Sequence, residues 1–215
     1  MTFRAFHVFI DTNVLVNMVY AITLHHRLNR PRPKILDLLE NNVLEIYTSI
    51  IMVNELDDVA LPKLLTSVDR EMHGWVNVET NEMEEYCISE LNSLVNMRYV
   101  RVIEEDGSLE LQRRALKYKP SKRVCWKSNI MDKLLSRIPN EDIDVINSLL
   151  YAYDLLATVR RKRGPGTISG KLVFVTEDKH LRNFVERQLT CYDCPCTSRI
   201  IAISYKEFKD QLRQI

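Results

Sequence analysis

Glycine is scarce in this chain. There are five in 215 residues, and no GxGxxG follows the first apolar run, which argues against a dinucleotide-binding reader. No apolar run reaches the roughly 18 residues that a membrane-spanning helix needs. The opening MTFRAFHVFIDTN shows no small-residue cleavage site, so it reads as a first β-strand and not a signal peptide. Charge of one sign is not in excess either. Thirty Lys and Arg stand against 29 Asp and Glu, a formal net charge of +1. The chain as a whole therefore announces no nucleic-acid partner, and any such surface must be local. Cysteines are few and uneven: Cys87, Cys125, Cys191, Cys194 and Cys196. That set is unlike a secreted disulfide framework. The CYDCPC cluster could be a zinc half-site or a redox pair, but there is no second CxxC. Reduced thiols in a cytoplasmic protein are the simplest reading. Internal repeats and low-complexity tracts are absent.

What is present is the mix of an ordinary globular protein, 46% hydrophobic and 27% charged. The length suits one α/β domain over 1–215, with room for an insertion at about 106–138. Four β-branched runs read as buried strands: FHVFI (6–10), VLEIYTS (43–49), LVFVT (172–176) and RIIAIS (199–204). YVRVIEE (99–105) is a weaker, alternating fifth. Helical spacing marks 14–27, 31–42, the SIIMVNELDDVAL segment, about 76–97, 142–159, 179–189 and 205–214. Strands alternating with helices predict a three-layer α/β/α fold with a mostly parallel central sheet.

In open parallel sheets, ligands bind beyond the C-terminal ends of the strands. Asp11 directly follows FHVFI, and Asp178 follows LVFVT after one residue. Glu55 lies about one helical turn past VLEIYTS, and Asp142 stands in the first turn of the helix before LVFVT. Taken singly, each acid also reads as a loop or cap residue. Together they repel: two charges about 4 Å apart cost roughly 4 kcal/mol at an effective dielectric near 20. Four ionised carboxylates at one edge call for a cation, and oxygen ligands suit Mg²⁺ or Mn²⁺. Such a site can activate water for attack at phosphorus.

The local sequences add to this. FIDTNVLV (9–16), an apolar strand followed by Asp-Thr-Asn and an apolar helix, resembles the opening motif of PIN-domain nucleases. SIIMVNELDD resembles the second motif of that family, which sets an acid on a helix. EDIDVINSLL (141–150) resembles the third, LVFVTEDKHLRNF (172–184) the fourth, and IIAISYKEFKDQL (200–212) the closing strand and helix. The resemblance runs along the whole chain and extends to PIN nucleases of toxin–antitoxin pairs and of RNA processing. It implies a PIN-like fold in which Asp11, Glu55, a third acid and Asp178 bind one or two Mg²⁺ or Mn²⁺ ions. Thr12 and Asn13 would support the first turn. Asn13 and Thr176 would orient the acids or the attacking water. The implied reaction is endoribonuclease hydrolysis of an RNA phosphodiester by water, leaving a 5′-phosphate. The implied partners are RNA, a second copy of the chain in a homodimer, and a protein inhibitor or RNA-processing partner, with no membrane.

The third acid has two candidates. Three, four and seven residues after Asp142 come Val145, Ile146 and Leu149, a stripe that would pin the helix to the core. After Asp144 the same steps give Asn147, Ser148 and Tyr151, a poorer stripe. Asp142 is preferred and Asp144 stays open. For substrate, the basic stretch 113–127 offers Arg113, Arg114, Lys117, Lys119, Lys122, Arg123 and Lys127, with Tyr118 and Trp126 to stack a base. Arg160, Arg161, Lys162 and Arg163 form a second basic run. Either stretch also reads as a solvated charged face.

The chain departs from the compact family pattern in its long segment between the second and third acids, its basic 160–170 loop and its cysteine cluster. These features speak against a small toxin. Two other functions compete. One is a catalytically weak PIN-like RNA-binding or assembly module, whose mark would be a missing acid. The other is a phosphotransfer domain with Asp11 as nucleophile, but such folds commonly carry a second Asp two residues on, and here that place holds Asn13.

Overall fold

A computed structural model of the chain describes residues 6–103, 144–146, 148–150, 152–153, 172–188 and 200–215. Five strands form one sheet: β1 (Phe6–Ile10), β2 (Leu44–Ser49), β3 (Val100–Ile103), β4 (Leu172–Val175) and β5 (Ile200–Ile203). All pairings are parallel, and the order is β3-β2-β1-β4-β5. Each of the five apolar runs singled out in the sequence is a strand. The chain builds outward from β1 on one side through β2 and β3, then returns to the other side for β4 and β5. The order therefore reverses between β1 and β4, which is where open α/β sheets leave a crevice.

Period-two alternation assigns the two faces. Val8, Ile10, Leu44, Ile46, Val100, Val175 and Ile203 share one hydrophobic core. They pack with helices α1 (Thr12–Leu28), α2 (Lys34–Glu40) and α6 (Thr80–Asn96) and with the C-terminal helix α8 (Tyr205–Leu212). Phe9, Tyr47, Leu172, Phe174, Ile200 and Ala202 face the other way. They are covered by Ile146, Leu149, Leu150, Ala152 and Tyr153, which are helical, and by α7 (Lys179–Gln188) through Leu181 and Val185. This is the three-layer α/β/α arrangement that the strand and helix alternation predicts. Cys87 is buried on α6 as a free thiol. The other four cysteines lie outside the described residues, as do the expected insertion, the 160–170 loop and both basic runs. No described helix is long and apolar enough to cross a membrane.

Local rules account for the helices near the sheet edge. Asp11 is the N-cap of α1, and Ser49 caps α3 (Ile50–Glu55) by accepting from Met52 N–H at 3.2 Å. From α3 the chain continues through a π turn (Leu56–Ala60) into α4 (Leu61–Ser67). Pro62 explains the wider turn. It has no N–H to give, and its ring would crowd the carbonyl one turn back in a regular helix. Leu61 N–H instead reaches Leu56 O. A short helix α5 (Arg70–His73) and Trp75 then fold back on α1, where Trp75 Nε1 donates to Tyr20 Oη at 2.8 Å. Helix α6 begins at Thr80, later than the periodicity implies, because 75–78 form a turn closed by Val78 N–H to Trp75 O at 3.0 Å. Similarly, α2 starts at Lys34 with Pro33 outside it as N-cap.

A charged row crosses three strands on the second face. His7 Nδ1 lies 3.2 Å from Glu45 Oε2. Tyr47 Oη donates to Glu45 at 2.9 Å, and Arg101 lies 3.5 Å away. His7 foremost, then Tyr47 and Arg101, hold the Glu45 carboxyl at about 2, against the upward push of burial. A carboxyl depressed in the folded state stabilises above its ordinary value of 4.5 and loses that contribution as pH falls toward about 2. Chemical denaturation across that window should therefore show wild type losing more stability than Glu45→Gln, with the two converging at the acid end. Parallel curves at all pH values would contradict it.

Candidate active site at the sheet switch point

The sheet ladder runs one residue past the ends of β1 and β4. Asp11 N–H donates to Val175 O at 3.1 Å, and Thr176 N–H donates to Ile203 O at 3.1 Å. Both residues are thus fixed by backbone at the C-terminal edge, on either side of the point where the strand order reverses. Thr176 is fully buried and its Oγ1 donates to Asp11 Oδ2 at 2.7 Å. The other oxygen, Asp11 Oδ1, accepts from Thr12 N–H at 2.7 Å. A partly buried carboxylate is thereby held on both oxygens at the C-terminal edge of the sheet.

Glu55 arrives from β2. It is the last residue of α3, at the change into the π turn, and its carboxylate is exposed. Thr12 Oγ1 donates to Glu55 Oε2 at 2.6 Å. This bond to a charged acceptor is short, as charge-assisted bonds are, and it ties α1 to α3. Asp178 arrives from β4. Its Oδ1 accepts from His180 N–H at 2.6 Å and Leu181 N–H at 2.9 Å, so it caps α7. Its own N–H donates to Thr176 Oγ1 at 3.0 Å. One continuous chain of hydrogen bonds therefore runs from Glu55 through Thr12, Asp11 and Thr176 to Asp178.

Burial pushes the Asp11 carboxyl above its ordinary value. The donors Thr176 and Thr12 pull it back down, and the charges of Glu55 and Asp178 push it up again. Two of the acids singled out in the sequence, Glu55 and Asp178, thus act on a third, Asp11, at this edge. Asp144 is helical and partly buried, and its carbonyl accepts from Ser148 Oγ at 3.0 Å. Asp142 lies outside the described residues. Asn13 is exposed, its side chain makes no hydrogen bond among the described residues, and its carbonyl accepts from Asn17 Nδ2 at 2.6 Å. Thr12 takes the larger part, because its hydroxyl is buried and aimed at Glu55. In the sequence Thr12 stands only as a residue of the first turn. Its spacing of 43 residues from Glu55 leaves no local signal.

The donors fit a hard divalent cation in chemistry. They are all carboxylate oxygens, and their mutual repulsion is what a cation would relieve. The described geometry supplies a central carboxylate with an acid on either side. Among the described residues, no three Asp, Glu, His or Cys side chains stand close enough to hold one ion together. Scans against protein-family models, curated proteins and solved structures each return no match for this chain.

Thr176→Val removes the hydroxyl that joins the two acids and leaves Asp11 Oδ2 and Asp178 N–H each short of a partner. An unsatisfied buried polar group costs about 1–3 kcal/mol. Urea titration should show a lower midpoint with an unchanged slope, and Thr176→Ser, which keeps the hydroxyl, should stay close to wild type. Equal losses in both variants would assign the effect to packing instead.

Proposed function

We propose that the chain is a metal-dependent endoribonuclease of the PIN-domain type. The observation that carries this reading is Asp11, held on both oxygens at the sheet switch point with Glu55 and Asp178 on either side. The order of sequence motifs and the all-parallel α/β sheet support it. Mg²⁺ or Mn²⁺ at this edge would supply Lewis-acid polarisation of a phosphoryl oxygen and lower the pKa of a water. The chain's own part is orientation. Thr12 and Thr176 hold Asp11 by one hydrogen bond to each of its oxygens, and each oxygen has a second lone pair to offer. Thr12 also holds Glu55, and the α7 backbone holds one Asp178 oxygen, leaving the other free of that cap. Asp142, or Asp144 in its place, completes the acid set in this reading. The basic stretches 113–127 and 160–163 serve as RNA contacts. A cytoplasmic location accords with an RNA substrate. A homodimer and a protein inhibitor or RNA-processing partner are further consequences of the family likeness.

A second reading is a catalytically weak PIN-like RNA-binding or assembly module. It is favoured by the lack of a three-ligand group among the described residues and by the structural use of Asp178 as a helix cap. Incubation with RNA and DNA substrates in Mg²⁺, Mn²⁺ or EDTA separates the two. The nuclease reading expects RNA cleavage in the metals, none in EDTA, and a loss of at least about 100-fold in Asp11→Asn, since even outer-shell partners of a metal site are worth 10–100-fold. The same ions should raise the melting temperature of wild type, by an amount that grows with concentration as binding to the folded state requires, and raise it less in Asp11→Asn. RNA binding without cleavage or thermal shift would favour the module. Cleavage that survives both EDTA and Asp11→Asn would overturn the mechanism.

A further inference from the structure

We propose that Arg182 binds the RNA phosphate next to the one under attack, and so sets the direction in which the strand crosses the sheet edge. This rests on the ribonuclease reading and adds a substrate contact to it. Arg182 lies on α7 one turn beyond Asp178, whose carbonyl accepts from its backbone N–H at 2.9 Å. Its side chain is partly buried, and Nη1 donates to Thr176 O at 3.4 Å. Thr176 therefore contacts both halves of the site: its hydroxyl holds the Asp11 carboxylate, and its carbonyl holds a guanidinium.

A guanidinium has five N–H donors, and this one directs a single hydrogen bond to a described residue. Glu207 of α8, an acid that feels the Arg182 charge, is already engaged. Its Oε2 accepts from Ser204 N–H and Ser204 Oγ, both at 2.7 Å, in a capping box. Those bonds, ahead of the Arg182 charge, keep the Glu207 carboxyl below its ordinary value. Arg182 forms no ion pair among the described residues, and apart from the bond to Thr176 its donors are not engaged by them.

The site needs such a cation. Three acids at the edge repel a phosphodiester backbone, and a planar guanidinium matches phosphate oxygens in a way that an ammonium does not. Position decides which phosphate. Asp11 lies between the ends of β1 and β4, whereas Arg182 is anchored to Thr176 and neighbours Glu207, between the ends of β4 and β5. The offset is about one strand spacing, roughly 5 Å, on the scale of a nucleotide step. The backbone would then run from the crevice at Asp11 toward β5.

The test is binding of a single-stranded oligoribonucleotide in EDTA, followed by fluorescence anisotropy from about 50 to about 200 mM salt. Wild type, Arg182→Gln and Arg182→Lys are compared, each with its melting temperature. Loss of one phosphate contact on a single strand should flatten the log–log salt slope by about 0.7. Arg182→Gln should show that flattening, and Arg182→Lys, which keeps the charge, should retain most of the slope. In steady-state cleavage, Arg182→Gln should raise KM more than it lowers kcat. An unchanged slope in Arg182→Gln overturns the inference, and a fall in melting temperature with an unchanged slope assigns Arg182 to packing between α7 and α8. Those outcomes leave the nuclease reading standing. If wild type binds no RNA in EDTA or in Mg²⁺, that reading fails and this inference fails with it.

Discussion

The hydrogen bond from Thr176 Oγ1 to Asp11 Oδ2 joins residues 165 apart in sequence and closes the seam where the sheet changes direction. Much of the molecule converges on it. Asp11 directly follows β1 and caps α1, so the same residue stands at the switch point and starts one of the two 17-residue helices on the first face. Thr176 directly follows β4 and also accepts from the N–H of Asp178, which caps α7 on the second face. Strand adjacency and the starts of two helices on opposite layers therefore meet at one pair of side chains. Placing a polar contact there is inexpensive only because every partner is satisfied. A half-satisfied network in this position would destabilise the fold.

The acids differ in environment in a way that assigns them different parts. Asp11 is partly buried and pushed toward its neutral form by desolvation, whereas Glu55 and Asp178 are exposed at the rim. A cation entering the crevice would act most strongly on Asp11, where water screens least. Glu55 reaches the rim through a chain of local causes. Ser49 starts α3, Pro62 imposes the π turn, and Glu55 falls at the boundary between them. π turns recur at functional sites because they re-aim side chains. Here the re-aimed carboxylate meets the Thr12 hydroxyl.

The sheet was legible in the sequence because most positions of β1, β2, β4 and β5 are buried on both faces. Continuous β-branched runs such as FHVFI and LVFVT have few other uses. The helices facing the sheet were legible for the complementary reason, a stripe of apolar residues at helical spacing. The segment 61–73 was not. Its helices α4 and α5 are short, interrupted at Val68 and Asp69, and held by tertiary contact more than by pattern. In the site, Asp11, Glu55 and Asp178 were legible from their places after strands. Their partners were not, because Thr12 to Glu55 and Thr176 to Asp11 are long-range pairs. Arg182 carries no local signal, because a basic residue on an amphipathic helix is ordinary. Only its bond to the carbonyl of Thr176 distinguishes it.

Each acid at this edge has a structural duty that does not require an ion. Asp11 and Asp178 cap helices, and Glu55 accepts from a buried hydroxyl. Those duties explain how three mutually repelling carboxylates are tolerated: backbone N–H groups and helix N-termini favour negative charge and offset part of the repulsion. They also decide which substitutions can separate chemistry from folding. Alanine at Asp11 or Asp178 would remove a cap as well as a charge. Asparagine is itself among the preferred N-cap residues, so it keeps the carbonyl acceptor and the helix start while deleting the ionised form. At Asp178, where the cap uses one oxygen, the isosteric amide isolates what the negative charge does, whereas at Asp11 it also gives up one of the two bonds from Thr12 N–H and Thr176 Oγ1. Glu55 needs a different probe, since glutamine there preserves the bond from Thr12 only when its carbonyl oxygen, and not its NH₂, turns toward the hydroxyl.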